Sequence, residues 1–255
     1  METWPALLGA GALCGFLNAA ASSGSAITLP LLLALGLPAG VANGTNRLPV
    51  LAGLITALWR YQRAGAIPWR LVLRLLPIFL GATAAGAWLA VMLHMQIIRV
   101  VIDVALLLAL AMVLLHPQRW LSTEDQPSPQ LRLSGRLQLL MGAVGFWAGL
   151  IVLDTATYLL VGLVLVGGIA LPRANAIKVV LLTASVLVSL LVFSWSGEVA
   201  WRQALPLMLG SALGGWLGAG LALGPDARLW IYRLLVLALG LEVLRQLWQW
   251  LGRLV

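Results

Sequence analysis

Polar residues that interrupt apolar segments are the part of this sequence that could do chemistry. A polar or charged side chain costs free energy in apolar surroundings unless it is paired, so such residues are candidates for a binding site. One set surrounds a break, rich in serine and glycine, in the first apolar segment. Its members are Ser22, Ser23, Gly24, Ser25, Asn43, Thr45, Asn46 and Arg47. A second set lies in the C-terminal half and consists of Asp154, Thr157, Asn175 and Lys178.

The break at residues 21–25 predicts an anion site. A short helix that starts near Ala26 directs its positive N-terminal end, with free backbone N–H groups, into the protein. The serine hydroxyls add hydrogen-bond donors, although they could equally cap the short helix and bind nothing. We interpret them as substrate-binding, because broken helices inside a membrane often line a binding site.

Two basic residues accompany these polar groups. Arg47 lies near the start of the span that follows the break, where it either contacts the anion or extends to the membrane surface. Lys178 lies in the corresponding part of the second half, inside an apolar helix. Its charge requires a partner, and three are open: a bound anion, a pair with Asp154, or the polar membrane surface.

Asp154 is the candidate for coupling to protons, because a carboxyl group in a low-dielectric environment can bind and release a proton near neutral pH. A structural ion pair or a helix cap would explain it equally well. The sequence contains no HExxH, CxxC, P-loop or Gly-x-Ser-x-Gly motif. We therefore expect no enzymatic activity, no metal and no cofactor.

The elements that position these residues follow from the composition. The chain has 255 residues, of which 62% are hydrophobic and 9% charged, and its mean hydropathy is +1.01. A spanning helix needs about 20 apolar residues, so a chain of this length holds about eight spans and no sizeable soluble domain. The net charge of +8 comes from single or paired basic residues, which are typical of cytoplasmic loops and do not form a patch for nucleic acid. We expect an all-α, polytopic membrane protein.

Apolar runs predict spans at 5–36, 42–60, 71–93, 98–115, 137–169, 174–194, 203–223 and 228–250. The first and fifth are too long for one straight helix, so each must be broken or re-entrant. Small residues at Gly210, Gly214 and Gly218 predict a close helix contact, and Gly81 with Ala85 a weaker one.

Ordered matches suggest two pseudo-symmetric repeats of four segments, at 1–115 and 137–255, joined by a polar linker at 116–136. The matches are Gly11 and Gly15 with Gly145 and Gly149, Leu37-Pro38 with Leu171-Pro172, Ala42 with Ala176, Trp69-Arg70 with Trp201-Arg202, and Pro77, Gly81 and Gly86 with Pro206, Gly210 and Gly215. The distribution of basic residues does not decide between parallel and inverted repeats. Re-entrant first segments would make the repeats inverted, which is the arrangement we favour.

The first half resembles the TauE/SafE, or sulfite exporter, family. The resemblance is carried by Gly15-Phe16-Leu17, by residues 21–33 with their Pro30, by Leu35-Gly36-Leu37-Pro38, by 41–46, and by the loop at 65–70. Ser23-Gly24-Ser25 stands where the family usually has three glycines, and Ala176-Ile177-Lys178-Val179 replaces the second Ala-x-Gly-Thr. The resemblance implies transport of a sulfur-containing anion such as sulfite or a small organosulfonate.

These observations together predict a secondary transporter of a small anion in the bacterial inner membrane, with coupling to protons as a hypothesis. Its partners would be the anion, protons and membrane lipid, without nucleic acid, and a homodimer is compatible with the sequence. The alternative is a membrane-embedded scaffold or assembly subunit without transport, whose glycine faces bind another protein. An open channel is less favoured, because broken and duplicated helices suit alternating access better.

Overall fold

The computed structural model describes residues 4–21, 24–92, 120–121 and 135–251, with the side chains of 242 and 245–251 left aside. Ser22, Ser23, the predicted span at 98–115 and most of the predicted linker at 116–136 lie outside the described residues. The described part is helical and contains no strand. Its helices are α1 (Trp4–Ala20), α2 (Ser25–Ala34), α3 (Ala39–Arg63), α4 (Trp69–Met92), α5 (Gly135–Leu150), α6 (Thr155–Val161), α7 (Leu171–Trp195), α8 (Trp201–Ala222) and α9 (Ala227–Leu251).

Both apolar runs that exceed the length of one span are divided into two helices. α1 ends at Ala20 and α2 begins at Ser25. α5 ends at Leu150 and α6 begins at Thr155, after Asp154, whose φ of 58° is left-handed. α6 continues into a π-helical turn at Gly162–Val166. The backbone therefore leaves the helical conformation at the two places where the polar residues are concentrated.

Three of the described helices, α4, α7 and α8, are long and apolar enough to cross a membrane. α1, α2 and the segment Thr155–Val166 are shorter apolar helices. Together with the family and relatives reported below, these lengths describe a membrane protein with several spanning helices.

Glycines allow two pairs of helices to pack with their backbones in contact. A Cβ at Gly15 of α1 would lie 2.0 Å from the Ser211 carbonyl oxygen of α8. A Cβ at Gly149 of α5 would lie 2.1 Å from the carbonyl oxygen of Thr83 on α4. In each pair the residue numbers rise together along the contact, so α1 runs parallel to α8 and α5 runs parallel to α4.

The glycine face of α8 is confirmed. Cβ atoms at Gly210, Gly214 and Gly218 would lie 2.0, 1.9 and 2.4 Å from carbonyl oxygens of α1. At Gly81, in the weaker face predicted for α4, a Cβ would have no neighbour within 4 Å among the described residues. A small residue therefore permits a close helix contact but does not by itself show on which side of the helix the contact is made.

α3 and α7 cross in the centre of the molecule and run antiparallel. Arg47, near the start of α3, contacts Ser189 near the end of α7. Tyr61, near the end of α3, contacts Asn175 near the start of α7. One helix from each half of the chain thus takes part in this crossing, and the two helices run in opposite directions.

Candidate functional site

The C-terminal end of α1 is held by two side chains from α7. Lys178 Nζ donates to the carbonyl oxygen of Asn18 at 2.7 Å and lies 3.4 Å from that of Ala21. Asn175 Nδ2 lies 3.0 and 3.2 Å from the carbonyl oxygens of Ala19 and Ala20. A helix end leaves its last carbonyls without backbone partners and carries a partial negative charge, so a cation and an amide satisfy both requirements.

The C-terminal end of α5 is held in the same way by two side chains from α3. Arg47 donates from Nη1 to the Ala148 oxygen at 3.0 Å and from Nη2 to the Gly149 oxygen at 2.6 Å. Asn43 Nδ2 donates to the Leu150 oxygen at 2.9 Å. Phe193 of α7 covers the guanidinium, with the Arg47 Cζ 4.5 Å from the ring centroid.

These contacts decide two of the questions that the sequence left open. Arg47 and Lys178 are both fully buried, so neither extends to the membrane surface. The hydrogen bonds of Lys178 end on backbone carbonyls, and the pair with Asp154 is not formed. Asp154 is buried at the N-cap position of α6. The charge of each cation is thus balanced by a helix end contributed by the other half.

A third cluster forms at the N-terminal end of α2. The Gly24 backbone N–H donates to Asn18 Oδ1 at 3.0 Å, and the Thr28 hydroxyl donates to Asn46 Oδ1. Ser25 Oγ and Asn46 Nδ2 are buried and have no hydrogen-bond partner in the described structure. Unpaired buried donors are rare in folded proteins, so this pair of atoms requires an explanation.

Further unpaired polar atoms lie at the other two helix ends. They are Arg47 Nε, Asn43 Oδ1, Asn175 Oδ1 and Thr157 Oγ1, each buried and without a partner among the described atoms. Thr45 is engaged elsewhere, because its hydroxyl accepts the Ala200 N–H at 2.8 Å and holds the loop between α7 and α8. The predicted residues therefore form three small clusters around helix ends rather than one continuous pocket.

Each cluster is closed to solvent, since all of its described members are buried. A cavity of about 620 Å³ lies elsewhere, between the start of α7 and the α8–α9 loop, where it is lined by Arg173, Asp226 and Arg228. None of the predicted site residues lines it.

Three residues of these clusters did not emerge from the sequence. Asn18 of α1 accepts hydrogen bonds from the Gly24 N–H and from Lys178 Nζ. It is a polar residue inside an apolar segment, so the criterion that identified the other site residues also applies to it. Tyr61 accepts a hydrogen bond from Asn175 Nδ2 at 2.6 Å, but nothing in the sequence distinguishes this tyrosine from one at the membrane interface. Glu198 is in the α7–α8 loop, and its carboxylate lies against Gly40 in the first turn of α3.

Burial raises the pKa of the Glu198 carboxyl above its ordinary value of 4.5. Its Oε2 atom is buried and has no hydrogen-bond partner among the described residues. The backbone of the same residue is also close to α3, because a Cβ at Gly44 would lie 2.0 Å from the Glu198 carbonyl oxygen. The loop thus docks on α3 just before Arg47.

An all-helical membrane protein with two interrupted helices and buried cations at their ends has the features of a membrane transporter. Residues 7–243 match the model of the sulfite exporter TauE/SafE family, and the chain belongs to this family.

Similar proteins carry transporter names. A probable membrane transporter protein of Haemophilus influenzae is 32% identical over 82% of this chain and 81% of its own length. A probable membrane transporter protein, ORF9, of a Sinorhizobium species is 27% identical over 91% of this chain and 87% of its own length. The probable membrane transporter protein YfcA of Escherichia coli K12 is 28% identical over 85% of this chain and 80% of its own length. No solved structure gives a significant match.

Proposed function

We propose that this protein is a secondary transporter that moves a small sulfur-containing anion, such as sulfite or a small organosulfonate, across the bacterial inner membrane. The family description and the names of the relatives support membrane transport. The observation that supports an anionic substrate is the cluster at the N-terminal end of α2, where Ser25 Oγ and Asn46 Nδ2 are buried and have no hydrogen-bond partner among the described residues.

Hydrogen-bond donors without partners fit an anion better than a neutral or cationic substrate. α2 has ten residues, and its dipole places partial positive charge at Ser25. The Ser25 hydroxyl and the Asn46 amide are each able to donate to an oxyanion. Arg47, Asn43, Asn175, Lys178, Thr45 and Thr157 remain the predicted substrate-binding residues around this group.

We further propose that residues 1–115 and 137–255 form two four-segment repeats of opposite orientation, with re-entrant first segments and a linker at 116–136. The antiparallel crossing of α3 and α7 supports inversion. The matching contacts of α1 with α8 and of α5 with α4 support duplication. Inverted repeats allow alternating access by exchanging the conformations of the two halves, and the buried clusters correspond to a closed state.

Asp154 is our candidate for coupling to protons. It is buried at the start of α6, next to the α5 end that Arg47 holds. Protonation of a carboxylate there would change the net charge beside a buried cation, which would link proton binding to anion binding.

A scaffold subunit without transport is the alternative, and the buried donors weigh against it. A scaffold gains nothing from unpaired polar atoms in its interior, because each of them reduces stability.

Flux measurements in proteoliposomes test the proposal. Purified protein should move labelled sulfite or sulfoacetate down a gradient, and Ser25→Ala should raise KM by about 10-fold or more through loss of a donor to the charged substrate. Its thermal stability should not fall, since the hydroxyl has no hydrogen-bond partner among the described residues. Ser185→Ala is the matched control, because the buried Ser185 hydroxyl donates within its own helix, to the Leu182 oxygen at 3.0 Å. Absence of flux for both anions, or an unchanged KM in Ser25→Ala, contradicts the proposal.

A further inference from the structure

The ends of the two interrupted helices are each held by a cation that belongs to the other half of the chain. We propose that Lys178 and Arg47 are two latches, of which the first keeps the α1 end closed and the second keeps the α5 end closed. This inference rests on the proposed transport function in one respect: the two helix ends are taken to be the parts of the protein that open during transport.

The Lys178 latch closes the α1 end. Lys178 Nζ reaches across from α7 to carbonyl oxygens of Asn18 and Ala21, the last residues before the break. Asn175 joins the same helix end to Tyr61 of α3. The positive charge is fully buried, so its only compensation in the described structure is the negative end of α1.

The Arg47 latch closes the α5 end. Its two Nη atoms bond the Ala148 and Gly149 oxygens, and Nη1 also donates to Ser189 Oγ at 2.7 Å. The Phe193 ring fixes the guanidinium from one side. The contact with α5 is bidentate, whereas the contact of Lys178 with α1 is made by a single nitrogen atom.

The two latches lie at different levels along the crossing of α3 and α7, because these helices are antiparallel. Arg47 is near the start of α3 and meets the last turns of α7, whereas Lys178 is near the start of α7 and lies beside the residues that contact Tyr61 at the end of α3. Each latch therefore has its own set of contacts, and the loss of one leaves the other intact.

An anion can release a latch because it competes for the same cation. A helix end presents a partial negative charge, whereas an oxyanion carries a full one. Arg47 Nε has no hydrogen-bond partner within the described part of the chain, so an arriving anion can begin to bind before the carbonyls are released.

Thiol labelling tests the latches without requiring transport. Cys14 is the single cysteine of the chain, so a Cys14→Ala background removes native thiols. Ala21→Cys and Ile151→Cys then place one thiol immediately after α1 or α5, at residues that are both buried. The rate of modification by a small methanethiosulfonate reagent in detergent measures the opening of each end.

The expected result is a crossed pattern. Lys178→Gln should accelerate labelling at position 21 by about 10-fold, with less than about 2-fold change at position 151, and Arg47→Gln should do the reverse, because each removes one charged hydrogen-bond donor. Lys178→Arg keeps the charge and should restore most of the protection at position 21, which separates a latch from a general loss of folding. Equal acceleration at both positions in either variant, or none in both, overturns the proposal.

Sulfoacetate added to the two single-cysteine proteins separates this inference from the proposed function, because this anion, unlike sulfite, does not react with methanethiosulfonates or disulfides. Faster labelling at positions 21 or 151 with sulfoacetate, and not with chloride at the same ionic strength, supports anion release of the latches. A crossed pattern that sulfoacetate leaves unchanged keeps the latches and contradicts a small organosulfonate as the substrate.

Discussion

The amide of Asn175 on α7 lies 2.6 Å from the hydroxyl of Tyr61 on α3, and the same amide bonds the end of α1. One side chain therefore joins three helices at the point where α1 is interrupted. Near the end of α7, Phe193 contacts Arg47 through its ring face instead. An aromatic side chain thus supports each latch, by a hydrogen bond in one half and by a cation–π contact in the other.

Tyr61→Phe should lower stability modestly while preserving the fold. The substitution removes one hydrogen bond, and Asn175 keeps its carbonyl partners, so the expected loss is about 1 kcal/mol in the free energy of unfolding. Thermal unfolding in detergent, followed by tryptophan fluorescence, measures it. Tyr232→Phe on α9 provides the control. A loss in Tyr61→Phe no larger than in this control would show that the Asn175 contact contributes nothing to stability.

Gly214→Ala should destabilise the protein, whereas Gly81→Ala should not. A Cβ at Gly214 would lie 1.9 Å from the Ala12 oxygen, so α1 and α8 must separate, at a cost of about 1–3 kcal/mol. Gly81 has open space around it, and alanine there should be neutral or stabilise α4 by up to about 1 kcal/mol. The same unfolding assay compares the two variants, and equal effects would contradict the assigned helix contact.

Glu198→Gln should stabilise the protein at neutral pH and have no effect in acid. Because burial raises the folded-state pKa above 4.5, the folded protein binds the proton more tightly than the unfolded chain, and stability falls as pH rises through this interval. The glutamine variant does not ionise, so its stability does not fall with pH for this reason. Its gain in melting temperature should therefore increase with pH from 4.5 and then reach a plateau. Asp226→Asn, in the α8–α9 loop, controls for the change in net charge. A gain in Glu198→Gln that is independent of pH would exclude titration of Glu198 as its cause.

Asp154→Asn should uncouple transport from the proton gradient. Asparagine tolerates the left-handed backbone at this position, where φ is 58°, so the fold should be retained. In proteoliposomes, sulfite accumulation driven by a pH gradient should be lost, while exchange of internal for external sulfite should continue. Accumulation equal to that of the unmodified protein would remove Asp154 from the coupling pathway.

The sequence determined which residues are polar within apolar segments, that the two long apolar runs are broken, where the first of them breaks, and that α8 carries a glycine face. These features are local, because they depend on residue type and on distances of a few positions along one helix. The family was also accessible from sequence, through the motif at residues 15–46.

Only the tertiary structure decided what the buried cations contact. Arg47 and Lys178 bond carbonyls more than 100 residues away, and no local pattern specifies such partners. It also showed that Asn43 and Asn175 each bond the end of an interrupted helix from the other half of the chain.

The physical reason is that helix register is set by which backbones can approach each other. Identity matches between small residues do not record this, because a glycine at a helix contact and a glycine facing open space look alike in sequence. Buried charges are similar in this respect, since their partner is whatever acceptor the packed helices bring within hydrogen-bond distance. In this protein the acceptor is the free end of an interrupted helix from the other half of the chain. This helix end comes within hydrogen-bond distance of the cation only when the two halves pack together.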